Sequence, residues 1–190
     1  VDVVFDTAPW DERFRSSLEG VGDLVASPDD PQSLTQTAIT MPVGDLLVFK
    51  LTVFNYGAAP IRTTGPPPGT VYEQDQVAAS LGEYEQSGVW RIGIQCETST
   101  ESYPWRWAIG TDENLYTETD PTNDNVYYYL APGARSVVWG AIRMMHLVET
   151  QNPQDCWAGL IHEDVEVSLQ NSNVGRREIE LADTSPLRDN

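Results

Sequence analysis

The hydrophobic positions of this chain fall in twos. In LLVFKLTVF, residues 46–54, Leu47, Phe49, Leu51 and Val53 alternate with Leu46, Val48, Lys50 and Thr52, a period that puts successive side chains on opposite faces of a strand. The odd face is the more apolar and is expected to face a core, and the strand is expected to end at the Asn55-Tyr56-Gly57 turn. VWRIGIQC repeats the pattern, with Trp90, Ile92, Ile94 and Cys96 on one face and Arg91, Gly93 and Gln95 on the other. In SYPWRWAIG, Tyr103, Trp105 and Trp107 recur at every second position, opposite Pro104, Arg106 and Ala108. VYYYLAPGARSVVWGAIRMMHLV reads as two strands joined at Pro132-Gly133. CWAGLIHEDVEVSL reads as another, in which Trp157, Ile161, Val165 and Val167 share a parity, and Glu178 to Leu181 as a last short one.

The segments between these strands carry turn chemistry. The three prolines of IRTTGPPPGTVYEQ hold a loop extended and stiff, and TDENLYTETDPTNDN, residues 111–125, reads as an acidic loop. Residues 1–42 read as an irregular acidic arm, punctuated at Ala8-Pro9, Gly20 to Gly22 and SPDDP, with a short helix across Asp11 to Leu18. Six to nine strands separated by glycine and proline, with no long amphipathic helix, predict an all-β domain: an immunoglobulin-like or jelly-roll-like antiparallel β-sandwich over residues 43–182 with long irregular loops. The arm 1–42 precedes it and a tail, 183–190, follows. A chain of 190 residues is long enough to bury a core of its own.

Charge removes some partners. Acidic residues number 29 against 11 basic ones, for a net charge of −18, and they run from Asp2 to Asp189 instead of forming one tail. The phosphates of nucleic acid and an anionic membrane surface are repelled by such a chain, and no apolar run is long enough for membrane insertion. What remains is a solubilising surface that discourages non-specific association.

Two cysteines, Cys96 and Cys156, sit outside any CxxC or Cys/His cluster, so no zinc or redox motif is present. Two readings stay open: a pair of buried thiols, or one disulfide closing a loop of about 60 residues and worth on the order of 4 kcal/mol by chain entropy. The opening VDVVFDTAPWDERF has no cationic leader, which fits a mature exported chain and a cytosolic one equally. With the disulfide, the expected location is extracellular or at the cell surface.

Two of the strands carry a family resemblance. VFKLTVFNYGAAPI, residues 48–61, resembles the strand with a V-x-N-x-G ending in immunoglobulin-like adhesion and cell-envelope modules of the CARDB type, and YLAPGARSVVWGAI, residues 129–142, is similar to their L-x-P-G turn and following strand. The resemblance covers about a sixth of the chain and implies a prokaryotic extracellular sandwich that binds or spaces, with no catalytic residues to carry over. The order Cys96, Trp107, Cys156 resembles that of immunoglobulin domains, but Gln154 stands where their tyrosine would be.

Catalytic motifs are missing from the sequence. LIHEDV lacks the second histidine of a zincin and lies in a strand where that motif needs a helix, so His162 reads as an ordinary strand residue. No G-x-S-x-G, Walker loop or dinucleotide fingerprint occurs, and no cofactor other than calcium is indicated. Calcium enters through Asp112, Glu113, Asp120 and Asp124, which supply hard oxygen ligands in a loop free of positive charge; an ordinary solvated loop reads equally from the same residues. The row Tyr103, Trp105 and Trp107 is either a core wall or a surface on which sugar rings stack, and Arg106 opposite it would then face solvent. Val1, Val3, Val4 and Phe5 form a terminal strand able to pair with this sandwich's own edge or with a neighbour's.

The expectation is therefore a non-catalytic structural or adhesive subunit of a prokaryotic cell envelope or extracellular filament, assembling through β-strand pairing with itself or other envelope proteins. The alternative is a carbohydrate-binding module that takes glycans on the Tyr103, Trp105 and Trp107 row.

Overall fold

The computed structural model describes residues 2–8 and 38–183. The expected helix across Asp11 to Leu18 and the side chain of Val1 lie outside them. Strand follows strand: β1 (Asp2–Ala8), β2 (Ala38–Pro42), β3 (Leu46–Phe54), β4 (Ile61–Thr63), β5 (Val71–Glu73), β6 (Trp90–Cys96), β7 (Trp105–Ala108), β8 (Tyr116–Thr119), β9 (Val126–Leu130), β10 (Arg135–Arg143), β11 (Gln154–His162), β12 (Glu166–Val167) and β13 (Val174–Ala182). They form an all-β fold of three sheets, ordered β1-β3-β10-β5, β2-β13-β11-β6-β7 with β12 on β11, and β4-β9-β8. Pairing is antiparallel except for β5 on β10 and β2 on β13. Both β1 and β2 arise from the stretch read as an irregular arm, and both are members of the sandwich.

The alternation in β3 works as expected: Leu47, Phe49, Leu51 and Val53 are buried, and Lys50 and Thr52 are half-exposed. Trp107 of β7 closes the core between the two larger sheets. Its ring stands edge-on to Phe49 of β3 at 4.6 Å and to Tyr72 of β5 at 4.9 Å, and its indole N–H donates to the Thr70 carbonyl at 3.1 Å. The ring lies against Gly140 of β10, where a Cβ would sit 2.5 Å from the indole nitrogen. Burying side chains of this size stabilises by about 1.5–3 kcal/mol each, so few of them are needed.

In β11 the residues that share the parity of Trp157 have different surroundings, and Ile161 among them is buried. Gln154, Cys156 and Ala158 face inward, Trp157 is half-buried on the other face with the Arg176 guanidinium 4.9 Å above its ring, and Val165 is 62 % exposed. Partners directly opposite share a face, and Cys156 stands opposite Cys96 in the apolar row of β6, which sets the parity of β11. Trp90 and Trp139 are likewise half-buried.

The two cysteines are bridged. The disulfide joins neighbouring strands of one sheet, where the immunoglobulin order would have joined two sheets. The N–H of Cys96 donates to Ser99 Oγ at 3.0 Å and its carbonyl accepts from the Ser99 N–H at 3.0 Å. Such a bridge persists in an oxidising compartment, outside the reducing cytosol. Among the described residues no helix is long and apolar enough to cross a membrane.

Candidate functional site

The segment 102–110 does not present an aromatic platform. Tyr103, Trp105 and Trp107 are 3 %, 2 % and 0 % exposed, so the sugar-stacking reading of this row is dropped. Nor do the three rings share a face. Trp105 and Trp107 stand opposite Ile94 and Ile92 and enter the core with them. Tyr103 precedes β7 with a left-handed φ of 47°, which sends its ring to the other side of the sheet. There it covers Gly93 and Gly159, and its hydroxyl bonds Ser172 Oγ at 2.9 Å and the Asn173 N–H at 3.1 Å.

Arg106 shares that outer face, and it is tied down where solvent exposure was expected. It donates to Glu163 Oε2 at 2.5 Å, to the Tyr103 carbonyl at 2.8 Å and to the Ser102 carbonyl at 3.0 Å. Glu163 spends its other oxygen on Arg91 at 3.0 Å, and Arg91 in turn donates to the carbonyls of Thr64 and Glu85 and to Gln86 Oε1. Side-chain exposure is 2 % for Arg91, 5 % for Glu163 and 24 % for Arg106. Two guanidinium groups on one buried carboxylate fasten three loops to β6, β7 and the end of β11. Sequence reasoning missed this cluster, since nothing in the alternation distinguishes an outward arginine from a covered one.

The acidic segment is not a single loop. Asp112 and Glu113 lie in the turn before β8, Asp120 and Asp124 lie at the tip of the β8–β9 hairpin, and the four-residue strand β8 holds the pairs apart by roughly 13 Å at 3.3 Å per residue. Among the described residues no three His, Cys, Asp or Glu side chains gather as a metal site. Asp120 is engaged locally: its Oδ1 accepts from the Thr122 hydroxyl at 2.6 Å and the Thr122 N–H at 2.8 Å, which hold the carboxyl below its ordinary range.

Among the described residues the aromatic rings that reach solvent are Phe54 and Tyr56, at 37 % and 75 % exposed at the end of β3, and two tyrosines of the smallest sheet, one of them in the segment read as an acidic loop. Tyr116 and Tyr128 are 38 % and 37 % exposed, and Tyr116 stacks on Tyr129 across the strands with centroids 5.5 Å apart. Alternation in VYYYL carried the signal, with Tyr127 and Tyr129 on one face and Tyr128 on the other.

The terminal strand is in place. β1 pairs with β3 along its whole length, from Asp2 opposite Thr52 to Ala8 opposite Leu46, and forms the edge of its sheet. Phe5 is 4 % exposed within the core, and Val3 sits so tightly on Gly175 of β13 that no Cβ fits there. Val4 stands in register with Lys50.

No family model matches this chain, and no curated protein or solved structure matches it either. Residues 48–61 and 129–142 are neighbours in space. The Asn55 N–H donates to the Ala134 carbonyl and the Gly133 N–H to the Asn55 carbonyl, while Asn55 Nδ2 reaches the carbonyls of Leu130 at 3.1 Å and Ala59 at 2.9 Å.

Proposed function

We propose that this chain is a non-catalytic structural or adhesive subunit of a prokaryotic cell envelope or extracellular filament, which assembles by exchanging β1 between copies. One observation carries the reading: β1 is an edge strand with a full antiparallel register on β3 and a phenylalanine in the core, and its covalent link to β2 runs through residues 9–37. Such a strand makes the same hydrogen bonds and buries the same Phe5 ring whether it comes from its own chain or from a neighbour. The balance sets the effective concentration of a strand within its own chain against the concentration of the subunits, and crowding at a surface favours the neighbour. The disulfide holds β6 to β11 in the second sheet whether or not β1 is in place. The charge of −18 suppresses unspecific contacts and leaves strand pairing as the specific one. The disulfide and the resemblance of residues 48–61 and 129–142 to extracellular modules support the location.

The test uses two chains of different size. One carries Val4→Cys and the other Lys50→Cys, the two positions being opposite in register. Oxidation of a concentrated mixture is expected to give a mixed disulfide dimer on a non-reducing gel, and a chain carrying both substitutions gives the internal bridge as the control for geometry. If the control closes and the mixed dimer never forms at any concentration, exchange is ruled out.

A further inference from the structure

We infer which strand the sandwich accepts beside β3: the bare backbone at Gly175 of β13 and the core space that holds Phe5 together select a valine followed two residues later by a phenylalanine, and so fix the register of the strand that carries them. The bearing of this selection on assembly rests on the exchange proposed above. The selection itself acts alike on a strand from the same chain and on one from a neighbour.

Gly175 has a left-handed φ of 62° and no side chain, and Val3 fills the space that this leaves. A Cβ on Gly175 would run into Val3 Cγ1 and lie 3.4 Å from Val3 Cβ. Val3 of the first sheet therefore already lies against the backbone of the second, and a longer side chain in its place has no room. Two residues on, Phe5 is buried among the core residues, opposite Phe49. In the whole sequence a valine stands two residues before a phenylalanine once, at Val3 and Phe5.

The other features of β1 leave its register open. A slip of one residue turns Val3 and Phe5 away from the core and is excluded by that alone. A slip of two keeps the faces and the pattern of backbone hydrogen bonds. Either such slip brings an aspartate, Asp2 or Asp6, opposite Lys50, the one lysine of the chain, so charge favours it. The fit across the sandwich opposes it. One slip carries Phe5 to the place opposite Leu51, over Gly175, where a ring is overpacked. The other sets Val3 opposite Phe49, in a space filled by a ring, and leaves a void.

The test rewrites the strand. Val3→Phe combined with Phe5→Thr places the valine and phenylalanine at residues 1 and 3, followed by a threonine as Thr7 now follows Phe5. The sandwich is expected to take this strand two residues out of the present register. Lys50→Cys combined with either Val4→Cys or Asp2→Cys in one full-length chain reads the register by peptide mapping of the bridge that forms. The unaltered strand is expected to bridge from residue 4 and the rewritten one from residue 2, each preferred by roughly tenfold or more, as an overpacked contact would set. These bridges lie within one chain and report independently of the mixed dimer that tests exchange. Bridging of the rewritten strand from residue 4, equal bridging from residues 2 and 4, or bridging from neither overturns the inference, because a sandwich that selects this pair of side chains would have held them in the new register.

Discussion

Gly93 of β6 and Gly159 of β11 stand directly opposite each other, and the Tyr103 ring covers both. A Cβ at Gly93 would lie 2.6 Å from that of Tyr103, and one at Gly159 would collide with the far end of the ring. The bare backbone pair is thus the seat of a side chain whose hydroxyl holds residues 172 and 173.

Gly159→Ala is therefore expected to lift the ring and break both hydroxyl bonds, costing about 1–3 kcal/mol through overpacking. In a chain of this size that is a fall in Tm of roughly 2–4 °C per kcal/mol, measurable by calorimetry. A Tm unchanged by the substitution would show that the ring has room elsewhere.

The alternation made β3 and β6 legible, because a period of two with apolar side chains on one face admits few folds, but it left open whether the 105 and 107 rings face the core or solvent, since parity gives a shared face and not which side that face looks to. It misplaced Tyr103, since parity counts only within a strand and the left-handed residue ends the count. It did not say which row of β11 is inside, because apolar residues lie on both of its faces, and only the pairing with Cys96 decides it. The Arg91, Glu163 and Arg106 cluster was illegible for a different reason: its three members lie far apart in sequence and meet only when loops fold over the outer face of the sheet.

That cluster gives an ordered pair of predictions. Glu163→Gln leaves two guanidinium groups facing each other with no carboxylate, one of them fully buried, and is expected to cost about 3–5 kcal/mol. Arg106→Gln leaves the Arg91–Glu163 pair whole and removes a side chain that already touches water, so its cost is smaller. Urea unfolding of both variants reads the order, and equal losses would mean that Glu163 is not the hub.

Asn55 ties the turn after β3 to the turn before β10. Asn55→Ala removes the Nδ2 bonds to Ala59 and Leu130 and the Oδ1 acceptor of the Gly57 N–H at 3.1 Å, leaving the Leu130 carbonyl buried and unpaired while the exposed groups of Gly57 and Ala59 turn to water. A cost of about 1–3 kcal/mol is expected for the one buried acceptor left unsatisfied. Chemical denaturation should show a lower midpoint with an unchanged slope, since the surface exposed on unfolding is the same.

The hairpin tip between β8 and β9 has a pH dependence of known sign. The Thr122 hydroxyl and N–H donate to the ionised Asp120 carboxylate, lowering its affinity for a proton below that of the ordinary value of 3.8. A carboxyl whose folded value is lowered contributes order that is present in full at neutral pH and lost as pH falls through the folded value. Acid titration followed by NMR at Asp120 should therefore show a midpoint below the ordinary one. Thr122→Val, which keeps the shape and removes the hydroxyl donor, should move that midpoint upward, the larger part of the displacement being due to that hydroxyl. A midpoint indifferent to Thr122→Val would assign the tip's order to the backbone bonds from Asn123 and Asp124 to the Asp120 carbonyl instead.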